Sequence, residues 1–475
     1  MKLTTYFSER GAAPPAFIEG VRDIVGPDNV SQKECDLISY SLDYWLYGIL
    51  LSKDGKLPSL PSAIVSPGTT EEVQEVLRLA NRFEVPVTPF GGGSGVLGGA
   101  VPLGGEVVLN LQRMNRFMSL DETSMVAEAE AGIIGGNLER ELNHRGYAMG
   151  NIPQSLYCST LGGWIATRAV GQFSTKYGKI EDMVLGMEAV LPTGELLKVK
   201  PVPRRSVGPS LMELLLGSEG IMGIVTKAVV SVHPLPESTV KESFVLDSVA
   251  AALDVVRRVM RAEARPAVVR IFDDSESERY FPEIGRRVTV IFIIEGEKDL
   301  VARDTEVVRR IASEGGGEAR GEAPVDIWLR KRFDIGLGPM IMQHGGVVDT
   351  IEVVSLFKDA KALYDDMLAS MKAVEGALEV SGHFSHFYKE GACLYITFAG
   401  LPKDAHRYYL DTWNAAMEAT LRHNGSISHH HGIGFWRTRY MNRELGDTGV
   451  ELLRRLRQAA DPNSIMNRGK VVDAG

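Results

Sequence analysis

Three consecutive histidines, His429, His430 and His431, lie inside the chain between Ser428 and Gly432-Ile433-Gly434, and the protein has only 10 histidines in all. Imidazole takes and returns protons near neutral pH. A surface run resembling a tag is the ordinary explanation for such a string, but a tag sits at a terminus. Between glycines, consecutive rings can point in several directions into one cavity. A metal site is a second reading. Metal-binding histidines normally stand three to five apart or on separate elements, each with an orienting partner, and no carboxylate or thiolate cluster lies nearby in the sequence. His383 and His386 are the residues that could complete one, and no metal is expected. Tyr388 precedes Lys389-Glu390-Gly391-Ala392-Cys393 in a turn before an alternating strand. There it is either a half-buried packing residue or, if a cation lowers its pKa from about 10, an acid–base group. Arg270 sits in Val268-Val269-Arg270-Ile271-Phe272, where apolar neighbours make a bare guanidinium expensive. It needs an anion: a salt bridge to Asp273 or Asp274, or a flavin or substrate anion.

The other chemistry-bearing stretch is Pro89-Phe90-Gly91-Gly92-Gly93-Ser94-Gly95. A short strand over 86–89 leads into it, and no helix-forming run follows. That separates it from a dinucleotide fingerprint, whose glycines open a helix, and from a P-loop, which requires Lys-Ser/Thr after its last glycine. A loop of this kind presents successive N–H groups to an anion, and it is read here as a diphosphate cradle. Two more glycine-punctuated stretches follow, at 151–183 and at Gly217-Ser218-Glu219-Gly220-Ile221-Met222-Gly223. The first shows neither helical nor strand period, as expected where main-chain groups bind a large planar ligand.

The elements that must carry these loops alternate along the chain. Strand 63–65, a capped helix from Thr69 and strand 86–89 precede the cradle. Strands at 106–111 and 125–131, a helix at 138–144 and a hairpin over 187–199 follow it. From Val240 the rhythm becomes that of helices on an antiparallel sheet. The glycine-rich segments at 315–317 and 336–346 read as ordinary loops, and the final helix as 449–460. The expected fold class is α+β, with one domain over 1–235, a second, ligand-facing or cap domain over 236–425, and 426–475 returning to the first. A net charge of −9 and a pI near 5.7 argue against a nucleic-acid partner. Cys35, Cys158 and Cys393 have no metal-type or disulfide spacing. No signal peptide or apolar span is evident, so a cytoplasmic protein is expected.

Taken together, Pro89–Gly95, Gln154–Thr160, Gly162-Gly163-Trp164, Thr167-Arg168-Ala169, Tyr177–Asp182, Gly217–Thr226, Arg270, Tyr388–Cys393 and Ser428–Gly434 resemble the vanillyl-alcohol-oxidase-type flavoproteins. Within them, the triple histidine, the tyrosine before Gly-Ala-Cys and the strand arginine are similar to the alkylglycerone-phosphate synthases. The resemblance implies non-covalent FAD. Its diphosphate would lie on Pro89, Gly91, Gly92, Gly93, Ser94 and Gly95. Its ring system would meet Gln154, Ser155, Ser159, Thr160, Gly162, Gly163, Thr167 and Ala169, and the adenine or ribityl part Glu219, Gly220, Ile224 and Val225. Catalytic roles would fall on Arg270, Tyr388 and His429 to His431. The implied reaction exchanges acyl for alkyl on dihydroxyacetone phosphate through a flavin N5 adduct. The alternative is oxidation of a 2-hydroxy acid such as D-lactate or glycolate. A small-molecule or lipid-like substrate, peripheral membrane contact and a homodimer are the accompanying expectations. One departure stands out: where the synthases place a second, phosphate-binding arginine, this chain has Leu337-Gly338-Pro339, with Arg330, Lys331 and Arg332 displaced upstream.

Overall fold

The computed structural model describes residues 4–7, 11–334 and 337–472. Its first sheet grows from the strand–helix–strand pattern around the cradle. Val30–Ser31, Ala63–Val65, Val107–Asn110 and Val87–Phe90 lie side by side in that order, the last three mutually parallel. Parallel neighbours need a crossover, supplied by helix Thr70–Phe83, whose Thr69 side chain accepts from the Glu72 amide at 3.1 Å. Its apolar face, Val73, Val76, Leu77 and Ala80, packs with Phe17, Ile18 and Val21 of helix Pro15–Val25. A second, five-stranded antiparallel sheet runs Leu196–Val199, Val184–Val190, Ile224–Ser231, Val126–Glu130, Phe117–Asp121.

The third sheet has seven strands in the order Glu318–Ala319, Ser238–Leu246, Val288–Gly296, Val268–Phe272, Ala377–Phe387, Gly391–Gly400, Val347–Leu356, every pairing antiparallel. Register decides its chemistry. Glu352, Tyr395, His383 and Phe272 are cross-strand partners in one row. Their sequence neighbours Val353, Leu394, Phe384 and Ile271 form the next row and, because side chains alternate, face the opposite side. There they join the apolar core, into which Leu363 and Met367 of helix Phe357–Lys372 and Trp413 and Met417 of helix Ala405–Arg422 also pack. One face of the sheet is core; the other holds these polar groups beside a smaller apolar cluster that includes Phe272, Ile291, Ile293 and Trp328.

Several local readings are corrected. The 151–183 stretch is not wholly irregular: Leu161–Thr167, Ser174–Tyr177 and Ile180–Met183 are short helices. A helix spans Leu337–Gln343 where a loop was expected, and the final helix begins earlier, at Met441, and breaks at Gly446. The chain from Asp461 onward returns to the cradle strand: the Val87 amide donates to Ile465 O and the Asn467 amide to Val87 O, both at 2.8 Å.

Candidate active site

The three glycine loops converge. A Cβ placed on Gly92 would lie 1.8 Å from Cys158 O, and one on Gly91 2.5 Å from Thr160 Oγ1, so the first two loops touch through their glycines. Gly220, at φ +82°, meets the Pro89 ring, which brings in the third. Gly93 has φ +62°, the left-handed region that side chains avoid. None of the N–H groups of Gly91, Gly92, Gly93, Ser94 and Gly95 donates to a protein acceptor among the described residues. Partly buried donors in a row require acceptors, and a diphosphate fits that requirement.

Around the cradle the expected residues divide. Ser159 Oγ accepts from Trp164 Nε1 at 2.7 Å and Thr160 Oγ1 caps helix Leu161–Thr167 by accepting from the Gly163 amide, so both hold the loop's shape. Ser155 Oγ lies 3.1 Å from Ser159 Oγ. Gly162 packs its backbone against Ala131, Thr167 Oγ1 donates to Gly163 O, and the Ala169 amide closes on Trp164 O. Gln154 is exposed, whereas Ile224 and Val225 are buried strand residues. Glu219 is engaged elsewhere: its carboxylate accepts from the amides of Ile433 (2.6 Å) and Gly434 (3.0 Å), tying the third glycine loop to the end of the histidine turn.

That turn is held chiefly by Glu352. Its carboxylate accepts three consecutive backbone N–H groups, those of His429 (2.5 Å), His430 (3.2 Å) and His431 (3.0 Å). Arg437 compensates its charge, donating to Glu352 Oε1 at 2.7 Å, and both side chains are fully buried. The Arg437 guanidinium holds Glu352 down to about 2 against its burial. Lys179 fixes the turn from the other side by donating to His429 O at 2.8 Å.

Tyr388 Oη lies 2.7 Å from His429 Nε2, and His429 Nδ1 lies 2.9 Å from His430 Nδ1. With the phenol donating, the His429 proton sits on Nδ1 and points at His430, whose own proton is then on Nε2. The three groups form a continuous proton path. No cation activates Tyr388 as the sequence reading required: burial pushes its pKa up, so the phenol stays protonated. Burial also holds His429 and His430 well below the ordinary imidazole value and His431 at about 4. His386 joins them through a bulge between Ser385 and Phe387, at φ +52°, which turns its ring out of the ladder. It stacks on His429 at 5.2 Å and shares a 2.7 Å hydrogen bond with Ser174 Oγ.

The carboxylate and thiol thought absent from this region are present. Glu352, Cys393, His429 and His430 bring one potential ligand atom each within 4.8 Å of one another. Glu352 is already committed to Arg437 and three amides, and burial pushes the Cys393 thiol well above its ordinary pKa, so this donor set suits protein packing better than a cation.

Arg270 makes no salt bridge among the described residues. Asp273 instead accepts from Gly382 N and Tyr364 Oη, and Asp274 pairs with Arg286 at 2.7 Å. Arg270 Nη2 meets His383 Nε2 at 2.5 Å, and the guanidinium lies over the rings of Phe272 and Trp328. Tyr395 links this corner to the histidine turn, its ring stacked on His383 at 4.8 Å and near His430 at 6.2 Å. The sequence reading named the strand containing Glu352 but missed Glu352, Arg437, Lys179, Tyr395 and Glu276. A charged residue amid apolar partners in strand and helix was the one signal available.

Comparison with known proteins agrees with this geometry. Residues 61–200 match the family described as FAD binding domain, and residues 235–471 that described as FAD linked oxidases, C-terminal domain. Alkyldihydroxyacetonephosphate synthase of Dictyostelium discoideum is 29% identical over 501 residues, covering 96% of this chain and 81% of that protein. Glycolate oxidase subunit GlcD of Bacillus subtilis is 26% identical over 473 residues, covering 95% and 96%. A solved alkyldihydroxyacetonephosphate synthase structure superposes with a TM-score of 0.84 at 26% identity, covering 98% of this chain and 87% of that one. With its glycine cradle, antiparallel cap sheet and buried tyrosine–histidine path, the chain belongs to the vanillyl-alcohol-oxidase-type family of FAD-dependent enzymes.

Proposed function

We propose that the protein exchanges acyl for alkyl on dihydroxyacetone phosphate, an ether-lipid-forming reaction. The observation that carries this reading is the Tyr388–His429–His430 path, with every member neutral. The reaction consumes an acyl ester and an alcohol and yields an ether and a carboxylic acid, without net gain or loss of electrons. A proton leaves the substrate carbon and one is later returned, and the leaving and entering oxygens also exchange protons. A protonated phenol hydrogen-bonded to a neutral imidazole can give a proton from Tyr388 Oη and take it back. Bound FAD supplies the electron-accepting ring beside which the substrate carbon is activated. Arg270, which forms no direct ion pair among the described residues, suits the substrate anion.

Oxidation of a 2-hydroxy acid is the second reading. The Leu337-Gly338-Pro339 departure and the resemblance to a glycolate oxidase subunit favour it. Against it, the path can take a proton from the substrate carbon and return one through Tyr388 Oη, a round trip that the exchange needs and a simple oxidation does not. Anaerobic mixing with acyl-dihydroxyacetone phosphate plus a long-chain alcohol, with D-lactate and with glycolate separates the two. Release of free fatty acid and appearance of the ether, without lasting bleaching of the flavin band, is the expected result. Bleaching by a hydroxy acid with no ether formed would overturn the exchange reading.

A further inference from the structure

A buried guanidinium usually finds a carboxylate, and Arg270 has instead an imidazole whose far side touches one. His383 Nδ1 lies 2.9 Å from Glu276 Oε2, and Glu276 is almost wholly buried. Glu276 is itself fixed, accepting from Arg279 at 2.9 Å and from Thr397 Oγ1 at 3.1 Å. Ionised carboxylate only accepts, so the His383 proton must be on Nδ1 and the lone pair on Nε2 must face Arg270 Nη2. We propose that Glu276 and His383 are positioning residues that aim the Arg270 guanidinium while leaving its positive charge free for a carboxylate or phosphate group of the substrate.

The alternative of a direct Arg–carboxylate pair would spend that charge. A neutral imidazole, held at about 4 chiefly by burial, accepts the hydrogen bond without cancelling it. The negative charge of Glu276 stands one imidazole ring away and is shared with Arg279. Phe272 at 5.5 Å and Trp328 at 5.4 Å flank the half-buried guanidinium and leave part of it open, and its Nε has no partner among the described residues. Across the same Trp328 ring, at 5.8 Å, lies Arg332, whose Nε and Nη1 are likewise buried and unpartnered. The two guanidiniums share one indole, and among the described residues neither forms an ion pair, so this corner favours an anion. The inference holds for either reaction, since both substrates carry an anionic group.

Its test needs no turnover, so it can fail while the exchange reading stands, and the reverse. The FAD-loaded full chain is titrated with inorganic phosphate and, separately, with glycolate by calorimetry, and histidine tautomers are read by 15N NMR. Wild-type protein is expected to bind at least one of the anions with His383 in its Nδ1–H form, and Arg270→Met to lose binding. His383→Leu should weaken it about 10- to 100-fold, the range for one charge-assisted hydrogen bond. His383→Gln, whose amide oxygen can occupy the Nε2 place, should stay within about fivefold of wild type. Glu276→Gln should scramble the tautomer and weaken binding while flavin content holds. Wild-type binding in both His383→Leu and Glu276→Gln, binding that survives Arg270→Met, an Nε2–H tautomer in the wild type, or no uptake of either anion would each overturn the proposal.

Discussion

Replacing Glu352 by leucine strands Arg437 as a buried charge and removes the acceptor of three backbone N–H groups at once. Breaking a buried ion pair from one side costs about 3–5 kcal/mol. That cost has two separable sources. If Glu352 served only to neutralise Arg437, the double variant Glu352→Leu/Arg437→Met should recover most of it, because a buried pair can be exchanged for apolar side chains at little cost. The structure predicts a shortfall. The amides of His429, His430 and His431 still lack acceptors, at about 1 kcal/mol each, or about 3 kcal/mol together. Hydrogen exchange followed by mass spectrometry on a peptide spanning 426–434 isolates that term. In the double variant these three amides should exchange about 100-fold faster than in wild type, with peptides from the five-stranded sheet unchanged. Arg437→Met alone, which keeps the carboxylate, should leave them slow. Wild-type exchange rates at residues 429–431 in the double variant would refute the claim that Glu352 shapes the histidine turn.

Tyr388→Phe should cost about 1 kcal/mol in stability and lower turnover by about two to four orders of magnitude with FAD retained, as steady-state assay and flavin absorbance can check. Combined with His429→Gln, the loss should be far less than additive, because both act in one proton path. Gly93→Val should abolish flavin retention on gel filtration, since the left-handed backbone and a Cβ only 2.5 Å from the Phe90 ring leave no place for the branch. Glu276 and Glu352 are both held down to about 2, below the ordinary carboxyl value of 4.5. Their stabilisation is therefore present above pH 4.5 and lost as pH falls towards 2. The stability gap between wild type and Glu352→Gln, measured by thermal unfolding, should narrow between pH 6 and pH 2.5.

Unusual local runs are what the sequence displays, and the structure brings them together: the five small residues after the strand form a loop against the second glycine loop, and Tyr388 lies within hydrogen-bonding reach of the histidine run. What could not be read was long-range pairing. Glu352 and Arg437 are 85 residues apart, and Glu276 and His383 are 107 apart. Nothing in the local sequence names the partner of any of the four: Glu276 sits in the polar run Asp274-Ser275-Glu276-Ser277-Glu278-Arg279, and Arg437 lies in a turn. The same blindness misassigned Arg270 to its chain neighbours Asp273 and Asp274, because strand and helix geometry turn those carboxylates to other donors.

Asn467 donates to the carbonyls of both Gly99 and Glu219, and Lys470 to that of Val101, so the segment after the cradle is latched by residues some 368 positions downstream of Gly99. During synthesis this latch arrives late. At about 5–20 residues per second, roughly 20 to 75 s separate the emergence of Gly99 from that of Asn467. Throughout that interval the carbonyls of Gly99, Val101 and Glu219 lack these donors, so ribosome-bound chains ending at Asp461 are expected to retain less flavin than chains that carry Asn467 and Lys470.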